Sequence, residues 1–245
     1  MSQKNIAEVL NQFSRNSLFF EFPNPQFGSV KLDIWEDFLQ SHPNGQMSDG
    51  QCIEAEALFL KGRALYNSAD PQPSIDAMRT ITHRFPLWGK GHIAMFDVMH
   101  HLGKLEEASY HLAQYIILFP EADRIAVLGR LMGYLGRLAE SEIILMHLIS
   151  RADKGIVEDV LRTAVFDLLV TLGRLKKGDS MVMIARWAMN RWGFEPSYAY
   201  QEILGLILQK DSLKAKQHFL ITFPRIPAQH PMYEKFLSMK NILKL

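Results

Sequence analysis

The sequence predicts an all-α chain of about five helix-turn-helix units in a row, with an N-terminal extension and a C-terminal capping helix. Three observations predict it. The phrase L-G-[K/R]-L occurs three times, at Leu102–Leu105, Leu135–Leu138 and Leu172–Leu175. Its glycines, Gly103, Gly136 and Gly173, recur 33 and then 37 residues apart, which is the period of a helical-hairpin array. Phe-Pro pairs at 85–86, 119–120 and 223–224 stand where a helix would have to stop. Proline lacks the N–H that continues a helix and crowds the turn before it.

The elements follow in order. Residues 5–20 suit a short amphipathic helix with Ile6, Val9, Leu10 and Phe13 on one face. Ser17–Phe22 and Phe27–Leu32 flank Pro23-Asn24-Pro25-Gln26, which suits a small β-hairpin, or an irregular arm packed by its phenylalanines; the reading leans to the arm. Residues 33–40 read as a helix with Asp33 as N-cap. Turn formers from Ser41 to Gly50 close this extension, which gives three regions: 1–50, a repeat array over 51–224, and 225–245. The array pairs 51–67 with 74–84, 87–102 with 105–118, 122–135 with 138–151, 157–172 with 175–192, and 197–209 with 212–222. In the last bend, Lys210-Asp211-Ser212-Leu213, Asp211 takes the place of the glycine. Residues 232–245 form the cap, with Phe236, Leu237, Met239, Ile242 and Leu243 on its apolar side.

The repeating phrase has a physical reason. A bend between antiparallel helices needs a residue that tolerates a left-handed backbone, and glycine has no Cβ to clash there. The flanking leucines seal the end of the hairpin. One hairpin cannot cover its own apolar faces, so such units stack.

Composition bounds the function. The net charge is +1, so no strongly basic face marks a nucleic-acid binder. One cysteine, Cys52, excludes an internal disulfide framework and fits a reducing compartment. No apolar run reaches the roughly 20 residues of a membrane span, the first residues lack a signal peptide's apolar core, and no Asn-x-Ser/Thr occurs. These features predict a cytoplasmic chain with no membrane insertion.

Chemistry-bearing patterns are sparse. His92, His100, His101 and His111 cluster, and Asp97 lies four residues before His101, but a zinc site needs three or four converging ligands. They read as surface or groove residues. Cys52 has no histidine at a recognisable spacing. No nucleophile elbow, phosphate loop or dinucleotide fingerprint is present, so neither a catalytic residue nor a cofactor is expected. Arg186–Phe194 interleaves cations and aromatics in a way that could stack on bases, yet Trp187, Arg191 and Phe194 are spaced to pack between hairpins. The methionines read mainly as core.

The repeat resembles the tetratricopeptide family. The second pair matches its pattern with Gly103, Ala108 and Pro120, the third with Leu128-Gly129, Gly136 and Ser141, the first with Gly62, Met78, Ile81 and Pro86, and the fourth with Gly173 and Gly178. The resemblance implies a right-handed α-solenoid whose first helices line a concave, peptide-binding groove. Its groove positions fall on Arg63 and Tyr66, Asp97 and His101, Arg130 and Tyr134, and Asp167 and Thr171. The members that grip C-terminal carboxylates use a groove lysine where this chain has Phe59. The expected function is a non-enzymatic interaction module (adaptor, scaffold or secretion-type chaperone) with a protein or peptide partner and no nucleic acid. The alternatives are a self-assembling structural component and a non-catalytic subunit of an enzyme complex.

Overall fold

The computed structural model describes residues 47–65 and 72–245 in full, and the backbone of 18–24 and 28–34. The described residues fall in two compact units, one within Arg15–Glu140 and one within Ser141–Leu245.

The first unit begins with a β-hairpin. Strands β1 (Leu18–Asn24) and β2 (Gly28–Ile34) pair antiparallel, with Phe20 opposite Leu32 and Phe22 opposite Val30. A hairpin therefore replaces the irregular arm. Asp33 is no helix cap: it pairs with Phe19 inside β2. The physical reason is that every second residue is apolar along both runs, at Leu18, Phe20 and Phe22 and at Val30, Leu32 and Ile34, which favours a ladder over a helix start. The remainder of the helices expected at 5–20 and 33–40 lies outside the described residues.

Five helices follow: α1 (Asp49–Leu65), α2 (Gln72–Arg84), α3 (Gly89–His101), α4 (Leu105–Leu118) and α5 (Ala122–Tyr134). Each packs on the next, and the hairpin lies against α4. Helix α1 starts two residues earlier than expected because Ser48 and Gln51 form a capping box. Gln51 N–H donates to Ser48 Oγ at 3.3 Å and Ser48 N–H to Gln51 Oε1 at 3.0 Å. Helices α1 and α2 approach closely at Gly62, whose carbonyl accepts from buried Ser74 Oγ at 3.0 Å.

Helix α6 (Leu138–Ile149) carries the chain across the division between the units. The second unit continues with α7 (Glu158–Arg174), α8 (Gly178–Trp192), α9 (Pro196–Leu208), α10 (Ser212–Thr222), one 3₁₀ turn (Phe223–Arg225) and α11 (Tyr233–Leu243). From α7 onward each helix again packs on its successor. Phe219, Phe223 and Phe236 stack between α10 and α11 and close the core at that end. Eleven helices packed sequentially in pairs are thus the architecture of the described residues.

Four of the bends share one backbone design. The residue two before the next helix adopts a left-handed conformation: Gly103 at φ +70°, Gly136 at +77°, Lys176 at +57° and Lys210 at +61°. In each, that residue's N–H donates three residues back. The following N–H (Lys104, Arg137, Lys177, Asp211) donates five back, to Met99, Met132, Leu172 and Leu206. This is a Schellman closure, which satisfies the carbonyls orphaned at the helix end.

Two expectations are corrected here. Gly173 is not a bend residue; it lies in the last turn of α7, and Lys176 makes the turn three residues later. Asp211 does not replace the glycine either. Lys210 takes that conformation, while Asp211 caps α10 by accepting from Lys214 N–H at 3.2 Å. Two backbone hydrogen bonds hold each bend, so a lysine can sit there at a penalty of roughly 1 kcal/mol.

The bends make an expected result concrete. No atom lies within 4 Å of a Cβ built on Gly136, so Gly136→Val tests backbone strain alone. It should lower stability by about 2 kcal/mol, and Lys176→Gly should raise it by about 0.5–1 kcal/mol. Thermal melts showing no loss in the first, or a loss in the second, would contradict the assignment.

Candidate recognition surface

The first helix of each pair supplies the candidate face. In α1, Arg63 is exposed, and Tyr66 lies outside the described residues. In α3, Asp97 and His101 are both exposed; in α5, Arg130 is half-buried and Tyr134 exposed. These α3 and α5 positions stand six and two residues before the left-handed glycines at 103 and 136. Of these four positions, all but Arg130 are exposed.

In the second unit the same rule gives different residues. Counting back from Lys176 instead of Gly173 reaches Val170 and Arg174, and both are exposed. Phe166, one turn earlier, continues that exposed face. Asp167 is half-buried. Thr171 is 4% exposed, and its hydroxyl shares a 3.0 Å hydrogen bond with buried Ser141. It is a core contact between α6 and α7. Counting back from Lys210 reaches Leu204, half-buried, and Leu208, exposed. The positions so counted are polar or charged in the first unit, and in the second they are apolar except for Arg174. The sequence carried no signal for this shift, because the bend residue is a lysine.

Electrostatics around α3 and α5 are local. Partial desolvation of its carboxyl against α3's neighbours raises the Asp97 pKa above its usual value, against the pull of Arg124 and then His100. Arg124 approaches Asp123 at 3.5 Å and Glu121 at 3.9 Å. The Tyr115 hydroxyl donates to Glu121 at 3.1 Å; burial first, then this bond, pushes its pKa up to about 12. His100 stacks on Phe96.

The histidine cluster divides. His100 and His101 are exposed, but His92 and His111 are core residues, 3% and 1% exposed, contrary to the surface expectation. His92 Nε2 donates to the Pro86 carbonyl at 3.0 Å. A neutral His92 ring then offers Nδ1 as an acceptor. His111 must donate to it through its own Nδ1, at 3.3 Å. That leaves His111 Nε2 a buried bare acceptor with no hydrogen-bond partner among the described residues. Burial lowers both pKa values, that of His111 to about 3. Nearby, Arg79 bonds Glu107 at 3.0 Å. Among the described residues, no group of three or more His, Cys, Asp and Glu side chains could hold a metal ion. Cys52 is half-buried in the first turns of α1.

The aromatic and basic stretch of α8 is engaged internally. Arg191 bonds Asp153 at 3.1 Å and Glu158 at 2.8 Å, and Trp192 Nε1 donates to Glu158 at 2.6 Å. Those two bonds, Arg191's first, hold the Glu158 pKa below its usual value. Trp192 also stacks on Tyr198 and lies under Arg162. Arg186 pairs with Glu202 at 2.6 Å, and Arg225 sits 3.6 Å over Phe194. Arg191 and Trp192 tie the α6–α7 connection and the start of α7 to the end of α8, but Arg191 is exposed rather than packed in a core, and the ring contacts of Trp187 are to Trp192 and Arg191 of its own helix.

Comparison with protein-family models, curated proteins and solved structures finds no match. Among the described residues, no helix is long and apolar enough to cross a membrane.

Proposed function

We propose that this chain is a non-enzymatic protein–protein interaction module, a tetratricopeptide-like solenoid that works in the cytoplasm as an adaptor, scaffold or secretion-type chaperone. It holds a protein segment along the exposed faces of its first helices. One observation carries the reading: the positions six and two residues before each left-handed bend bear Asp97 and His101, Arg130 and Tyr134, Val170 and Arg174, and Leu204 and Leu208. A fixed register of side chains on successive first helices is how a repeat array reads an extended or helical ligand. Charged and hydrogen-bonding groups at these positions in the first unit would orient a segment bound there.

Capture of partners from the native cell tests this. Arg63→Glu, Tyr134→Ala and Val170→Asp should each weaken recovery of the same partner about tenfold while leaving the melting temperature unchanged. Recovery of every partner at wild-type levels by the triple variant would refute the reading.

A further inference from the structure

Two buried polar atoms of the first unit are chemically complementary. His111 is 1% exposed, and its bond to His92 leaves Nε2 with a lone pair and no hydrogen-bond partner among the described residues. Arg79 Nε is also enclosed and also without a hydrogen-bond partner. That nitrogen always carries its proton, because a guanidinium does not titrate in a protein. One atom can only accept and the other can only donate. Helix α4 brings them to one place. The Arg79 head is fixed on Glu107 of α4, with Nη2 3.0 Å from Oε1. His111 stands one turn further along the same face of α4. Side chains on a helix lean toward its N-terminus, so the His111 ring leans back toward Glu107 and the arginine.

Chemistry restricts what can join them. The group must accept from Arg79 Nε–H and donate to His111 Nε2. A metal cation would take the imidazole lone pair, but it offers the arginine N–H nothing and meets a positive charge. The same charge, after burial and His92, helps to hold the His111 pKa low. A halide would accept from the arginine and has no proton for the histidine. An apolar filling would leave both atoms desolvated and unpaired, which is the costly case. Water meets both demands. Its second O–H has an acceptor in the Glu107 carboxylate, whose oxygens keep spare lone pairs beside the arginine. Three hydrogen bonds are the usual complement of a buried water.

We propose that one internal water binds where α2 meets α4 and bridges Arg79 Nε to His111 Nε2. It completes an unbroken polar chain from the Glu107 carboxylate through Arg79, the water, His111 and His92 to the Pro86 carbonyl. The chain links α2, α4 and α3 to the turn between α2 and α3. Within it each histidine keeps one tautomer. Reversing either ring alone would set two donors or two lone pairs face to face at the 3.3 Å contact between them. The water is thus a fixed part of the first unit's core. The proposal is independent of the groove reading, because no member of the chain is a position proposed to bind a segment.

A crystal structure and NMR spectra of the full wild-type chain test it. One density peak within hydrogen-bond distance of both Arg79 Nε and His111 Nε2 is expected. In solution, water should cross-relax with His111 Hδ2 and Hε1, the carbon-bound protons that flank Nε2. Long-range nitrogen–proton spectra should show His111 protonated at Nδ1 and His92 at Nε2. In Arg79→Met the water cross-peaks should weaken or vanish while His92 keeps its tautomer. The wild-type spectra decide the matter if that variant does not fold. Direct contact between Arg79 Nε and His111 Nε2 overturns the proposal, as do two separate waters, one on each atom. A His111 protonated at Nε2, or wild-type spectra without the water cross-peaks, overturns it as well. Cross-peaks of wild-type strength in a folded Arg79→Met would remove the arginine from the site and overturn the bridge.

Discussion

Replacing Gly205 with valine is expected to lower the stability of the second unit by about 3 kcal/mol or more. Helices α8 and α9 cross with Gly178 and Gly205 face to face. A Cβ on Gly205 would lie 2.9 Å from the Gly178 carbonyl oxygen and 2.9 Å from Val182 Cγ2. On Gly178 it would lie 2.6 Å from the Gly205 oxygen and 3.1 Å from the Gln209 nitrogen. Backbone atoms of a packed helix cannot swing aside as a side chain can, so the helices must separate and release neighbouring buried groups such as Met181 and Leu206. Gly205→Ala should show a smaller loss of the same sign. Gly50→Ala is the control: nothing lies within 4 Å of its Cβ, and alanine in a helix gains up to about 1 kcal/mol over glycine. A Gly205→Val protein that melts with the wild type would show that the two helices do not meet at these residues.

Acid should weaken the first unit through two buried histidines. His92 and His111 are neutral in the fold, with pKa values lowered by burial, that of His111 to about 3. The unfolded chain binds a proton at each near pH 6.5, so stability is full above that pH and falls as pH drops below it. The slope is about 1.4 kcal/mol per pH unit for each fully shifted histidine. His111 alone should therefore remove about 2 kcal/mol between pH 7 and pH 5. Carboxylates held low in the fold, Glu158 and Asp211, act in a different window. Their contribution is present above the ordinary carboxylate range and is lost only as pH falls through it. Urea midpoints at the two pH values measure the effect. His111→Asn should be less stable at pH 7 yet shallower in its pH dependence. Equal wild-type midpoints at pH 7 and pH 5 would mean that the pair is already protonated or not buried.

The helices were legible because their signals are local. The prolines at 86 and 120 stop helices, and Leu105–Leu118 and Ser212–Thr222 emerge with the bounds their periodicity predicts. What misled was a repeated word with two meanings. Leu-Gly-Lys-Leu at 102 and Leu-Gly-Arg-Leu at 135 are bends, but the same letters at 172 close a helix that runs one turn further. The left-handed position is recognisable only when glycine fills it. Moving that anchor by three residues moved the expected face from Val170 and Arg174 to Asp167 and Thr171. The histidine pair was illegible for another reason: His92 and His111 lie 19 residues apart, and their partnership exists only once α3 and α4 pack.

The four bends also bear on how such a chain can drift. Each is held by the same pair of main-chain hydrogen bonds, whatever residue occupies the turn. Point changes at the joints therefore exact a small, additive toll and leave the angle between helices intact. Successive bends can then lose their common lettering and keep the same main-chain closure. Here the joints fall at 103, 136, 176 and 210, and the one wide interval contains the longer α6–α7 connection from Ser150 to Val157. Residues inserted into a connection of that kind would leave the four joints and their hydrogen bonds as they are.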